Sequence, residues 1–565
     1  WTDPPAPQIL YASPNRGQVH GWRPPIRPRP HPARGTQPLT DRPMDSTAQV
    51  TLAMPATGTG PLRTEAGIDA AGWARRVGWV ALALQGAGML ALSTVQYGRD
   101  ALTNDFGGYA QGWWAIAHGN LDPWSTLWNV ALWKNNGEFL LWPLAVAYPV
   151  VPHPAGLLWI QDAVVVLTEV VAFRWVLAAL DRARGLARPL ATVITLGTAV
   201  LLVANPWAWE TIAFDVHFEP VAGLFALLAA YDLWQGRTRR LWWWVPLCLL
   251  ADALGGLYVA GVGLSGILAG RTTRRPAVLL GVVGLAWFTL MSAVGGTGVG
   301  GHTAATAYGY LLGGHPMPAN ALDVVVGILG HPSAVVSHLA SRWAVALDFL
   351  LPAGLIGVAS PWGVGMVLAA FVPAMLAGNL LFFRPVAAFQ VWPALPFVLV
   401  GTVLVLLRLA THEPAPSRGW SPRLGLAALA LWAPLAAGRT AAAFPIVPAT
   451  ALAVGATTGA QVATVAASIP ADAEVIASEG VVGRFSTRRY AYHLDESDHR
   501  FAVHGAPVYV VLTPGQGLGP ISSREANAVV AFVTDRLGGH LVSRRDGVTE
   551  LAWRPVPGVR RVVLP

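Results

Sequence analysis

The sequence predicts a polytopic α-helical membrane protein of about 11 spans that carries a small C-terminal extracytoplasmic α/β domain. Three observations predict it. Hydrophobic residues make up 54% of the 565-residue chain and charged residues only 12%, where an ordinary soluble domain carries about 25% charge. Apolar runs of roughly 17 to 25 residues, long enough to cross a ~30 Å hydrocarbon layer, recur from Val77 to Ala437. Beyond Thr440 the composition turns soluble. With a mean hydropathy of +0.47, a purely soluble enzyme is excluded. The net charge of +8 does not indicate nucleic acid, because the arginines cluster between apolar runs, where they set membrane orientation. The single cysteine, Cys248, excludes an internal disulfide.

Residues 1–63 are rich in Pro, Arg, Thr and Gly without helical or strand period and read as a disordered tail. Met44 opens a more ordinary leader, so the residues before it read as an upstream extension of the frame. No small-residue cleavage site precedes the first span, which therefore stays attached as an anchor. The multi-span domain occupies 73–438. Arg75 and Arg76 precede the span Val77 to Val95 and place the N-terminus in the cytoplasm, which makes the large loop 96–154 extracytoplasmic. Ala155 to Leu180 returns to Arg182, Arg184 and Arg188. Leu190 to Ala204 goes out, and Phe218 to Leu233 comes back to Arg237, Arg239 and Arg240. Leu241 to Gly270 reads as a tight pair broken near Asp252 to Gly256. Pro276 to Val294 goes out again, and spans near Trp343 to Val358, Trp362 to Phe383, Val391 to Leu407 and Leu424 to Ala437 follow. An odd count puts the C-terminus outside the cell membrane. In the outer domain, 440–565, a helix is expected over Gln461 to Ser468. Strands are expected at Glu474 to Ala477 and Val508 to Leu512, an amphipathic helix over Ser522 to Leu537, and a hairpin from His540 to Trp553 around Asp546-Gly547.

Two stretches carry chemistry. In the first outer loop, Asp105 leads into an aromatic helix that stops at His118-Gly119. A carboxylate there sits at the membrane surface, where its pKa is tunable and a lipid-borne substrate arrives, so Asp105 is the candidate general base. The alternative is that Asp105 caps that helix by accepting backbone N–H bonds, worth about 1 kcal/mol. The second stretch runs from Trp207 through Glu210 to Asp215-Val-His217-Phe-Glu219-Pro220. If extended, it projects Asp215, His217 and Glu219 to one side, where they suit a divalent metal, a phosphate or a sugar hydroxyl. The plainer reading is a solvated turn in which Glu219 or Asp215 caps the next span. Glu210 and His118 are further candidates for substrate contact. A zinc site is disfavoured by the lack of HExxH or a cysteine pair. The Gly296 to Gly301 run fits GxGxxG without a βαβ unit and reads as a flexible turn. His302, His315, His331 and His338 read as loop residues. Asp162, Glu169, Asp252 and Asp348, in or near apolar spans, suggest a hydrated interior.

Asn104-Asp105-Phe106-Gly through Ala117-His118-Gly119, Phe139-Leu-Leu-Trp-Pro143, Leu157-Leu158-Trp-Ile-Gln161, Asp215-Val-His217-Phe-Glu219-Pro220, Tyr308-Gly-Tyr310, Leu351-Pro352-Ala-Gly354 and Ile469-Pro470 occur in that order. In that order they resemble the bacterial membrane proteins of the domain of unknown function 2079 family over roughly Trp73 to Trp553. That family in turn resembles the GT-C membrane glycosyltransferases, which use polyprenyl-phosphate sugars and keep an essential acid in the first outer loop. The resemblance implies that Asp105 takes the acceptor proton and that Asp215, His217 and Glu219 contact the donor phosphate or a metal. Two departures stand out: Glu138-Phe139 where family members often show His-Phe, and a charged run near the fifth span reduced to Asp252. The function expected is sugar transfer from a polyprenyl-phosphate donor to an acceptor at the outer face of the cytoplasmic membrane. The partners are then the lipid membrane and a lipid-linked sugar donor. The competing readings are a non-enzymatic transporter or lipid flippase and an envelope-assembly scaffold. A transferase must bring its two groups close, so Asp105 and His217 are expected across one cavity, within roughly 15 Å.

Overall fold

The computed structural model describes residues 69–183, 186–270, 272–295, 307–312, 321–377, 388–411, 432, 434–438, 440–442, 444–494 and 499–565. The N-terminal tail, the Gly296 to Gly301 run, His302, His315 and most of the expected Leu424 to Ala437 span lie outside them.

Helix α1 (Ala70–Gly98) leads into the short α2 (Asn104–Ala117) and a loop that carries a two-stranded ribbon, β1 (Trp124–Ser125) with β2 (Val130–Ala131), and α3 (Leu141–Ala145). The chain continues through α4 (Ala155–Arg182), α5 (Arg188–Val203), α6 (Pro206–Ala213), α7 (Glu219–Gln235), α8 (Thr238–Ala251), α9 (Gly255–Ala269) and α10 (Arg274–Gly295). Apolar helices at Trp343–Ala353, Pro361–Leu376 and Ala388–Thr411 complete the membrane part.

Among the described residues, six helices are long and apolar enough to cross a membrane, or seven if the Leu322–Gly330 and Pro332–Ser341 pair, bent by 92°, is one span. This corrects the expectation of about 11 spans. The expected span Phe218 to Leu233 is α7, 17 residues long, and the Leu241 to Gly270 pair is α8 and α9, of 14 and 15 residues. At 1.5 Å per residue these reach only about 21 to 26 Å, short of the hydrocarbon thickness. Of the three, α7 buries residues on every face from Glu219 to Leu233, whereas α8 and α9 leave Trp243 and Leu268 exposed. A hydropathy window does not distinguish burial in protein from contact with lipid. The parity argument for an outer C-terminus lapses with the count.

Glycine explains how such short helices pack. A Cβ at Gly256 of α9 would lie 2.7 Å from the Gly284 carbonyl oxygen of α10, and one at Gly263 would lie 2.6 Å from the Gly281 nitrogen. The backbones therefore touch, the small-residue contact that brings membrane helices together where no hydrophobic effect separates helix from lipid. Asp252 is extended, φ −160°, and accepts from Leu254 N at 2.6 Å, which marks the break between α8 and α9.

The C-terminal unit is an open five-stranded sheet in the order β4 (Ala491–Leu494), β3 (Glu474–Ser478), β6 (Val508–Leu512), β8 (Val548–Trp553), β7 (His540–Arg545). The β3 strand pairs in parallel with both β4 and β6, and the remaining pairings are antiparallel. As expected of a central strand, all of β3 is buried. The hairpin turns at Asp546 and Gly547, φ 49° and 80°, a left-handed pair suited to a two-residue turn. Helix Ser523–Asp535 opens on a capping box between Ser522 and Glu525. A short pair, β5 (Arg500–Ala502) with β9 (Arg561–Val563), lies beside it.

This unit docks on the first loop. Leu102 N donates to Gly480 O at 3.1 Å and Gly483 N to Leu102 O at 3.0 Å. Gln111 Nε2 donates to the carbonyls of Arg488 and Arg489, and Thr126 Oγ1 donates to Ala491 O at 2.6 Å. Arg484 pairs with the buried Asp100 at 3.4 Å.

Candidate functional site

The site forms where the α1–α2 junction meets the α6–α7 turn. Helix α2 begins at Asn104 because Thr103, extended at ψ −174°, accepts from Asp105 N at 3.2 Å through its hydroxyl. Thr103 is therefore the cap. Asp105 stands in the first turn, where the helix dipole favours negative charge, and its carboxylate is free of the capping duty that the sequence left open to it.

Asp215 holds the junction together. Its carboxylate accepts from Thr103 N at 2.9 Å, from Thr103 Oγ1 at 2.5 Å and from Gln96 Nε2 at 3.4 Å. Its backbone lies at φ 98°, a conformation strained for a residue with a Cβ. Gln161 of α4 clamps the same turn: Nε2 donates to the carbonyls of Thr211 and Asp215, and Oε1 accepts from His217 N at 2.5 Å. The 215–219 segment is thus bent by the positive φ at Asp215 and turns helical by Phe218, so its three ionisable groups do not project together. Asp215 faces Thr103. His217 faces Asp105 with Nε2 and Glu219 with Nδ1, each at 4.0 Å.

Among the described residues, no three His, Cys, Asp or Glu side chains form a group that could hold a metal ion. The Asp215, His217 and Glu219 set fails that fit because Asp215 spends its oxygens on Thr103 and Gln96. Two other candidates stand apart. His118 caps the far end of α2 and is exposed, with Nδ1 2.7 Å from Trp114 O, about 20 Å of helix beyond Asp105. Glu210 is buried in α6, and neither carboxylate oxygen has a hydrogen-bond partner among the described residues.

The imidazole of His217 is held by aromatic rings. Phe389 stacks on it at 3.4 Å and 3°, Phe214 lies parallel at 5.4 Å, and Tyr109 meets it edge-on at 6.3 Å. Tyr109 OH donates to Glu138 Oε1 at 3.0 Å. The loop that carries Glu138 is stitched to the α8–α9 break by Ala253 N to Asn136 O at 2.6 Å and Leu140 N to Leu250 O at 2.9 Å. Glu138, Glu219, Asp252 and Asp105 consequently all act electrostatically on Tyr109. Sequence reasoning assigned no site role to Tyr109, Glu138, Asp252, Gln161 or Phe389. Glu138 and Asp252 did stand out as departures from the family pattern, and Asp252 as an acid in an apolar run.

The site's ionisable groups lie outside the six long apolar helices. Burial pushes Asp105 up to about 6, with His493 of β4 pulling the other way; 37% of the side chain stays exposed, and solvent tempers the shift. Burial pushes Asp215 up to about 8 despite the Thr103 bonds that favour its ionised form. Burial pushes Glu138 and Asp100 each up to about 7. It pushes His217 down to about 3, so the ring is neutral at physiological pH. A half-exposed acid beside a neutral, rigidly held imidazole can take a proton from a hydroxyl placed between them.

Residues 102–514 match the family described as predicted membrane protein, DUF2079. Among solved structures, ArnT from Cupriavidus metallidurans bound to undecaprenyl phosphate is 14% identical, with a TM-score of 0.45, and the match covers 84% of this chain and 98% of that one. The apo state of the same protein matches at 15% identity and a TM-score of 0.41 over the same shares of the two chains. No curated protein matches the sequence.

Proposed function

The chain belongs to the DUF2079 family of predicted membrane proteins, and from that footing we propose that it transfers a sugar from a polyprenyl-phosphate donor to an acceptor hydroxyl at the outer face of the cytoplasmic membrane. One observation carries the reading: a half-exposed Asp105 lies 4.0 Å from the neutral His217 at the head of α2. In the reaction proposed, Asp105 removes the acceptor proton as the hydroxyl oxygen bonds to the anomeric carbon. The bond from that carbon to the phosphate oxygen breaks, and its electron pair leaves on the polyprenyl phosphate.

The orientation is supported without any span count. Arg75 pairs with Asp181, Arg182 bonds Gln235, and Arg237 and Arg240 pair with Asp232 at 3.8 and 3.2 Å. These contacts gather the start of α1 and the ends of α4 and α7 at one end of the bundle. Asp105, His217 and the docked sheet lie at the opposite ends of the same helices. Arginines mark the cytoplasmic side, so the site and the C-terminal unit face out. At the far end of α2, where Tyr148 meets His118, Leu121, Val146 and Val150 of the first loop are 70%, 78% and 82% exposed, an apolar surface suited to contact with lipid.

The test is transfer of labelled sugar from polyprenyl-phosphate donors in proteoliposomes. Wild type yields product, and Asp105→Asn loses about 10²-fold or more in turnover. Absence of product from wild type across several donors rejects the transferase reading. Movement of labelled lipid between leaflets without product would support a flippase instead.

A further inference from the structure

We infer that Glu219 fixes the tautomer of His217, with the Glu219 carboxyl donating to Nδ1 so that Nε2–H is aimed at Asp105 and holds the base in position. This rests on the reading of Asp105 as the base. His217 Nε2 and Glu219 Oε2 are both buried with no hydrogen-bond partner among the described residues, and each stands 4.0 Å from its counterpart across the ring. At 4.0 Å neither contact is a formed hydrogen bond. Each closes with about 1 Å of movement, the tightening expected when a substrate fills a site.

A neutral imidazole carries one N–H, and the other nitrogen accepts. Which nitrogen holds the proton depends on the two carboxyls that flank the ring. On the Nδ1 side, Glu219 has 7% of its side chain exposed and lies near Glu138 and Asp252, two further carboxyls. The N–H groups that open α7 offset part of the cost of charging it, but burial outweighs them, and Glu219 keeps its proton. On the Nε2 side, Asp105 is 37% exposed, lies in the first turn of α2 and is near His493. All three favour the charged form. The proton sits on the Glu219 side and the charge on the Asp105 side, so the ring accepts at Nδ1 and donates at Nε2. The stack on Phe389 and the Gln161 clamp on His217 N fix the ring plane in which this polarity operates.

Glu219 and His217 are thus positioning residues, and the experiment reads the tautomer itself. The full-length protein, labelled with 15N-histidine, is studied by NMR in lipid nanodiscs at pH 7, and the His217 signals are those lost in His217→Gln. The expected pattern is a pyridine-type Nδ1 with a pyrrole-type Nε2. Glu219→Gln preserves it, because an amide N–H still donates to Nδ1, whereas Glu219→Leu mixes or inverts it while the other histidine signals stay in place and report an intact fold. In the transfer assay, Glu219→Leu lowers turnover about tenfold with little change in KM, and Glu219→Gln restores it. An imidazolium, or a pyrrole-type Nδ1, in wild type overturns the inference, as does an unchanged ring in a folded Glu219→Leu. Failure of sugar transfer in every form would strike the transferase reading and leave the tautomer result standing.

Discussion

Asp105, Asp100, Glu138 and Asp215 are carboxyls that burial pushes up, to about 6, 7, 7 and 8. A carboxyl whose pKa rises on folding contributes its stability below its ordinary value near 4 and loses it as pH climbs through the folded value. Thermal stability in detergent should therefore fall from pH 4 to pH 8, and Asp100→Asn should flatten that slope. A melting temperature that rises steadily over the range contradicts the assignment. With Asp105 as the proposed base, turnover should move the other way: a base works ionised, so the rate climbs about tenfold per unit below pH 6 and levels above it. Asp215 has a different task. Asp215→Ala removes the acceptor for Thr103 N and Oγ1 and should cost about 1 to 3 kcal/mol by leaving buried donors unmet, read as a lower melting temperature at constant pH.

At the scale of the element, α9 depends on having almost no side chains on its contact faces. Gly263→Leu drives a side chain into the α10 backbone, where a Cβ already lies 2.6 Å from Gly281 N. Neither helix can move without displacing the other, so the loss should exceed the ~1 to 3 kcal/mol typical of overpacking and abolish the monodisperse peak in size-exclusion chromatography. Gly281→Ala is the control, because a Cβ there meets nothing within 4 Å; it should be neutral or gain up to about 1 kcal/mol from helix propensity. The α6–α7 turn shows the opposite device, a strained φ at Asp215 maintained by Gln161 and Thr103.

Across the whole molecule, the sheet unit belongs to the site. Gly480 and Gly483 bond Leu102, three residues before Asp105, and His493 of β4 bears on Asp105 itself. Removal of residues 469–565 should therefore destabilise the first loop, seen as faster hydrogen exchange over 100–112 while α4 stays protected. Unchanged exchange there would mean that the loop folds without the sheet. Reporter fusions after Pro565 and between α4 and α5 should report opposite sides of the membrane, the second on the cytoplasmic side with Arg182 and Arg188. The same side for both would refute the orientation drawn from the arginine clusters.

Composition and local pattern determined much of this protein. The membrane class follows from 54% hydrophobic residues. The strand Val508–Leu512, the Asp546-Gly547 turn and the amphipathic helix that starts at Ser522 follow from a short apolar run, turn chemistry and helical period, each satisfied within a few residues. Asp105 and His217 were legible as candidates because polar groups next to apolar runs are expensive. Tertiary structure decided the rest. Whether an apolar run of 14 to 17 residues spans a bilayer or is buried in protein depends on its neighbours, which is why α7, α8 and α9 misled a count made by hydropathy. Spacing could not foresee that Asp215 would turn away to Thr103, since one positive φ redirects every side chain after it. Nor could it join Glu138, Tyr109 and Glu219, because those contacts join residues more than twenty positions apart, and only packing fixes which polar groups meet.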